Sequence, residues 1–167
     1  DTVDELFQQL GRAANDVGSF PLDLHEVARE LGLRIYDATF SDPNISGMLI
    51  VDSSRVPKGV TPGEKGTIFV KKGEFPPRKR FTAAHEIAHF LLGHVDGGVR
   101  TDVYRGLTNG YIDPQEAAAN RLAADILMPR DLFKELSETG MTEYELAALF
   151  GVSTSAISVR AQSLGLT

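Results

Sequence analysis

The chain has 167 residues, 42% of them hydrophobic and 24% charged, proportions of an ordinary globular protein that exclude a disordered or fibrous one. Its formal net charge of -6 opposes phosphate backbones and anionic lipid surfaces, so neither nucleic acid nor membrane is an expected partner. With no cysteine, disulfides are excluded and a metal would have to be held by His, Asp or Glu; no apolar run approaches the roughly 18 residues that cross a bilayer, and the expected location is the cytoplasm.

Leu6, Leu10, Ala13, Ala14 and Val17 recur at helical spacing and predict a first helix over 4–17, which Gly18-Ser19-Phe20-Pro21 breaks. Asp23 is placed to cap a second, short helix that stops at Gly32, and Leu33-Arg34-Ile35-Tyr36 then alternates as a strand does. Apolar runs at 47–51 and 67–70, separated by the Pro/Gly-rich stretch 57–66, read as two more strands. The expectation is a small, mostly antiparallel sheet of about three strands, with the 67–70 strand offering a free edge.

Phe81, Ala84, Ala88, Leu91 and Leu92 line one side of a predicted helix over 78–93, ended by Gly93. The Gly-rich stretch 96–110 reads as a loop. Asp113 and Pro114 open the next helix, which runs to about Met128 before Pro129 ends it. A last pair of helices, over 142–150 and 153–164, completes the chain. The fold class is therefore α+β, with one main domain and at most a small appendage.

His85-Glu86-Ile87-Ala88-His89 carries the chemistry. Residues four apart on a helix project to the same side, so two imidazoles there can share one metal, and Glu86, one step round, can reach a water on that metal as a general base. Three of the four histidines, His85, His89 and His94, fall within ten residues on an otherwise apolar helix and its end, where unpaired polar groups would be costly. A catalytic zinc needs a third protein ligand and an open position. Glu116 is the leading candidate, although Asp113-Pro114-Gln115-Glu116 also has capping-box spacing, in which Glu116 would bond back to the Asp113 amide. Asp125 and His94 are the remaining alternatives, and Asn120, one turn after Glu116, could orient a ligand.

The stretch Arg80-Phe81-Thr82-Ala83-Ala84-His85-Glu86-Ile87-Ala88-His89-Phe90-Leu91-Leu92, followed by Glu116 and by the run from Ala119-Asn120-Arg121 to Leu127-Met128-Pro129, resembles the ImmA/IrrE metallopeptidase family. The resemblance implies a zincin-like helical core with His85, His89 and Glu116 as zinc ligands and Glu86 as the catalytic base. It also implies that such proteins are encoded beside repressors, whose cleavage switches on phage, mobile-element or stress-response genes. Two positions depart from the family pattern: Ala118 stands where many relatives have a second Glu, and Lys71 near where many have Asn.

On these grounds residues 1–136 are assigned to the metallopeptidase domain and 137–167 to a helix-turn-helix-like segment packed upon it. Ala147, Gly151 and Ile157 have the small-Gly-apolar spacing of a helix-turn-helix. The segment holds Glu138, Glu143 and Glu145 against Arg160 alone, a poor balance for displacing counterions from DNA, so contact with protein is expected instead. The basic cluster Lys71, Lys72, Arg78, Lys79 and Arg80 reads either as a solvated face or as an attraction for an acidic partner.

The expected activity is a metallo-endopeptidase using zinc, or manganese in its place, on a specific intracellular protein, a DNA-binding repressor by resemblance. Tyr104, Arg105 and Tyr111 are candidates for stabilising the oxyanion. A DNA-binding regulator with a non-catalytic metal site, and a metal-stabilised interaction module without turnover, are the competing readings.

Overall fold

The computed structural model describes residues 1–103 and 113–167. Helix α1 (Thr2–Leu10) is capped by Asp1 and stops where Gly11 takes left-handed backbone, well short of the 4–17 periodicity; a 3-10 turn at Val17–Ser19 follows. Asp23 accepts from the amides of His25 and Glu26 and so caps α2 (Leu24–Glu30).

Four strands, β1 (Leu33–Ala38), β2 (Ile45–Ile50), β3 (Gly66–Lys71) and β4 (Val99–Val103), form one mixed sheet in the order β1-β3-β2-β4. β2 runs antiparallel to both β3 and β4, whereas β1 is parallel to β3. The sheet thus has one strand more than the three expected, and one parallel pair. β3 has no free edge, contrary to expectation: it lies between β1 and β2, and residues 66–70 are all buried, the near-continuous apolar pattern of a covered strand. Among the described residues the edge strands are β1 and β4. β4 replaces part of the loop expected at 96–110. It is short and follows two glycines in left-handed backbone, Gly97 and Gly98, so its order comes from pairing with β2 rather than from its own propensity.

Pro76 occupies the first turn of α3 (Pro76–Leu92), and Gly93, at φ 72° and ψ 26°, caps its end by donating to His89 and Phe90 carbonyls. Asp113 caps α4 (Pro114–Leu127). Among the described helices these two share the most extensive contact, and both carry fully buried alanines, Ala84 and Ala88 on one and Ala119 and Ala123 on the other. Side chains this small let two backbones approach closely.

Pro129 both ends α4 and opens α5 (Arg130–Glu138), a helix absent from the sequence expectation, which buries Leu132 and Phe133. A reciprocal Thr142–Glu145 capping box starts α6 (Glu143–Phe150), and Ser153 caps α7 (Thr154–Ser163). This last pair shares the main core. Phe150 is fully buried, stacked on Phe133 with ring centroids 5.9 Å apart and edge-on to Phe20 at 5.3 Å. Burying one such ring stabilises by roughly 1.5–3 kcal/mol.

Two arginines, Arg160 buried and Arg80 partly buried, fasten α6 and α7 to the helices that carry the predicted ligands. Arg80 of α3 donates through Nε to the Gly151 carbonyl (3.0 Å). Arg160 of α7 donates through Nε and Nη2 to the Met128 carbonyl at the end of α4 (3.1 and 2.8 Å) and pairs with Asp125 at 2.8 Å. The rest of the basic cluster is largely engaged within the chain: Lys71 with the Pro43 carbonyl, Lys79 with Asp37 and Arg78 with Glu74.

Candidate metal centre

His85 and His89 stand one turn apart on α3, with Nε2 atoms 3.0 Å from each other and rings edge-on. Glu116, in the first turn of α4, brings Oε1 to 3.0 Å from His89 Nε2 and Oε2 to 3.1 Å from His85 Nε2. The capping-box role considered for Glu116 is not adopted: Asp113 receives the amides of Gln115 and Glu116, while the Glu116 side chain turns inward.

A fourth group comes from β4. Asp102 places Oδ1 3.6 Å from His89 Nε2 and Oδ2 3.9 Å from His85 Nε2. One ligand atom from each of His85, His89, Asp102 and Glu116 lies within 4.8 Å of the others. An imidazole nitrogen carries at most one hydrogen, yet His89 Nε2 faces His85 Nε2, Glu116 Oε1 and Asp102 Oδ1 together. Convergence of that kind is satisfied by a shared cation. Nitrogens each bound to one zinc sit roughly 3.0–3.4 Å apart, and the observed spacing fits.

The electrostatics prepare the site for positive charge. Burial alone would lower the His85 pKa, but Asp102 and Glu116 outweigh it and push the ring up to about 9. Glu116 is held below the usual carboxylate range: burial opposes this, and hydrogen bonds from His85, His89 and Arg100 overcome it. Arg100, on β4, donates Nη2 to Glu116 Oε1 in a short contact, Nε to Asp102 Oδ1 (3.3 Å), and Nη1 to Gln115 Oε1 (2.9 Å) and the His94 carbonyl (3.3 Å). Such bracing fixes the orientation of both carboxylates.

Glu86 is 0% exposed, and neither of its carboxylate oxygens has a hydrogen-bond partner among the described residues. Burial first, and then the negative Asp102 and Glu116, raise its pKa well above the usual carboxylate range. Gly47 of β2 makes room for it. A Cβ at Gly47 would lie 2.8 Å from Thr82 Cγ2 and 3.3 and 3.4 Å from Glu86 Cγ and Cδ. Across the β2–β4 ladder Gly47 is opposite Asp102, beside an irregularity in register between Ile45 and Gly47.

The other predicted residues fall elsewhere. His94 sits behind His89, its Nδ1 3.1 Å from His89 Nδ1, on the side away from the converging Nε2 atoms. Asp125 is paired with Arg160 and is not in the cluster. Asn120 makes no hydrogen bond to the site among the described residues. Tyr104, Arg105 and Tyr111 lie outside the described residues. Sequence reasoning missed Asp102, Arg100 and Gly47. The alternation Val99-Arg100-Thr101-Asp102-Val103, which puts Arg100 and Asp102 on one face of a strand, was the available signal.

The family model for the IrrE N-terminal-like domain matches residues 28–162. The radiation response metalloprotease IrrE of Deinococcus radiodurans is 34% identical over 121 residues, which cover 66% of this chain and 36% of that protein. The chain therefore spans about a third of that relative's length. Because the family match runs from α2 into α7 and takes in all four converging side chains, the chain belongs to the IrrE N-terminal-like family of peptidases.

Proposed function

We propose that the chain is a metal-dependent endopeptidase in which His85, His89 and Glu116 hold a divalent ion, zinc or in its place manganese, and Glu86 is the catalytic base. The observation that carries this reading is Glu86 itself: a fully buried carboxyl with no hydrogen-bond partner among the described residues, one residue from a ligand of the cluster, costs stability and is explained by a task at the site. A divalent ion held there supplies Lewis-acid polarisation of the scissile carbonyl and acidifies the attacking water. Glu86 takes the proton from that water and delivers it to the departing amine nitrogen. Dry surroundings strengthen each of these charge interactions. A DNA-binding regulator with a non-catalytic metal gives Glu86 no comparable role.

The substrate in this reading is a DNA-binding repressor, cut in the cytoplasm to release phage, mobile-element or stress-response genes. Among the described residues β4 is an edge strand, and it carries Arg100 and Asp102, so an extended peptide paired to it would run beside the ligands. Only flexible segments offer such a strand, so one or a few cuts in a linker are expected rather than general proteolysis. Residues 1–136 form the catalytic part, and the helix-turn-helix-like 137–167 touches protein rather than DNA; its α6 and α7 are anchored through Arg80 and Arg160 to the ligand-bearing helices. The test is incubation with zinc or manganese, the regulator encoded beside this chain, and casein, together with a titration of that regulator's operator. Discrete cleavage of the regulator is expected. Indiscriminate casein digestion, or tight sequence-specific operator binding by this chain alone, would overturn the reading.

A further inference from the structure

We infer that Asp102 is a fourth protein ligand of the metal in the substrate-free site, an inference that rests on the reading of this cluster as a metal centre and that requires the ion to become five-coordinate, or Asp102 to withdraw, when the attacking water is taken up. Its side chain is 5% exposed, so its charge is almost wholly removed from water. Oδ1 receives Arg100 Nε, but Oδ2 has no hydrogen-bond partner among the described residues. A buried carboxylate oxygen left without a donor is costly, and Oδ2 faces His85 Nε2 at 3.9 Å, while Oδ1 lies 3.6 Å from His89 Nε2.

The placement follows from the backbone. β4 is held in register by β2, with Asp102 opposite Gly47 and Thr101 opposite Met48, so the Asp102 side chain is fixed by the sheet rather than by a flexible loop. Arg100, two residues earlier on the same face of β4, holds Asp102 Oδ1 and Glu116 Oε1 at once. That leaves one oxygen of each carboxylate, Asp102 Oδ2 and Glu116 Oε2, directed at His85 Nε2. With a divalent cation and the Arg100 guanidinium both facing these groups, two carboxylates offset the buried positive charge better than one would. The second carboxylate also makes the donor set harder, in the direction that suits manganese as well as zinc.

The test is titration of the wild type, Asp102→Asn and His89→Ala with Co2+, recording the visible absorption bands, with Zn2+ affinity measured by competition against a chromophoric chelator. Asp102→Asn is expected to bind at least 100-fold more weakly and to show bands shifted in position or intensity; where it loses binding altogether in a chain with a native far-UV circular dichroism spectrum, the bands of Asp102→Glu decide. Bands identical to those of the wild type overturn the assignment whatever the affinity, because a carboxylate that merely braces a ligand changes affinity by about 10–100-fold without entering the coordination sphere. His89→Ala distinguishes the two levels of failure. If it loses Co2+ while Asp102→Asn keeps the wild-type bands, only the role of Asp102 fails; if it keeps stoichiometric Co2+, the metal centre itself is misassigned. Where Asp102→Asn does not fold, Asp102→Glu decides, since a longer carboxylate shifts the bands if the side chain is bound and leaves them unchanged if it is not.

Discussion

Gly47→Ala should separate catalysis from metal binding. Gly47 is not in left-handed backbone, so alanine is tolerated there conformationally and the effect is one of space. The new methyl would meet Thr82 Cγ2 at 2.8 Å, a distance real Cβ atoms do not adopt, and Glu86 Cγ at 3.3 Å. Overpacking of this kind costs about 1–3 kcal/mol, partly offset by about 0.4–1 kcal/mol from the reduced freedom of the unfolded chain. The net runs from near zero to a loss of about 2.5 kcal/mol, or a fall in Tm of up to about 10 °C for a chain of this size. Glu86 must also move by a few tenths of an ångström. Since a 1 Å misplacement can cost about 100-fold, kcat should fall by about 5–10-fold. Zn2+ affinity should stay within a few-fold, because the nearest contacts of the new methyl are Thr82 and Glu86 and none of the ligands. Adding Thr82→Ser removes the closest clash and should recover Tm but not rate. A Gly47→Ala variant that turns over at the wild-type rate, or a double variant whose rate recovers fully, would refute the idea that Gly47 exists to seat Glu86.

Three further outcomes are expected. Arg160→Ala leaves the Met128 carbonyl without its two donors and should cost about 1–3 kcal/mol in urea denaturation, whereas Asp125→Asn, on the exposed side of the same pair, should cost less than about 1 kcal/mol. His94→Ala removes the group behind His89 Nδ1 and should weaken Zn2+ binding by about 10–100-fold in a chelator competition. Metal binding requires a neutral His85, and the metal-free ring has its pKa raised to about 9. Binding at pH 7 should therefore release at least one proton, measurable by calorimetry in buffers of different ionisation enthalpy, and the release from His85 should vanish above about pH 9. The sign for stability is opposite: the metal-free protein keeps the full His85 contribution below the unfolded value of about 6.5 and loses it as pH rises through about 9.

The helices α3 and α4 were legible because their periodicity, their caps and their ligand spacing are local. His85 and His89 share a face by helix geometry alone. Glu116 was ambiguous in the sequence because the same residue fits a capping box, and only the position of α4 against α3 turns its side chain inward. β4 was hidden by its glycine flanks, and with it Arg100 and Asp102, whose arrival at the site depends on pairing with β2, some fifty residues earlier in the chain. The parallel pairing of β1 with β3, and the covered position of β3, are likewise long-range choices that no window of sequence displays. Helix α5 was lost because Pro129 is a stop for one helix and a start for the next.

The most direct measurement is mass spectrometry of the regulator proposed as substrate after incubation with zinc-loaded wild type and zinc-loaded Glu86→Gln, with metal content determined on the same samples. Glutamine keeps the shape of Glu86 and removes its basic carboxylate, so both proteins should carry one zinc per chain while the variant cleaves about 100–10,000-fold more slowly. Equal cleavage by the two proteins, or loss of zinc from Glu86→Gln, would contradict the assignment of Glu86 as the base of a metal-dependent peptidase.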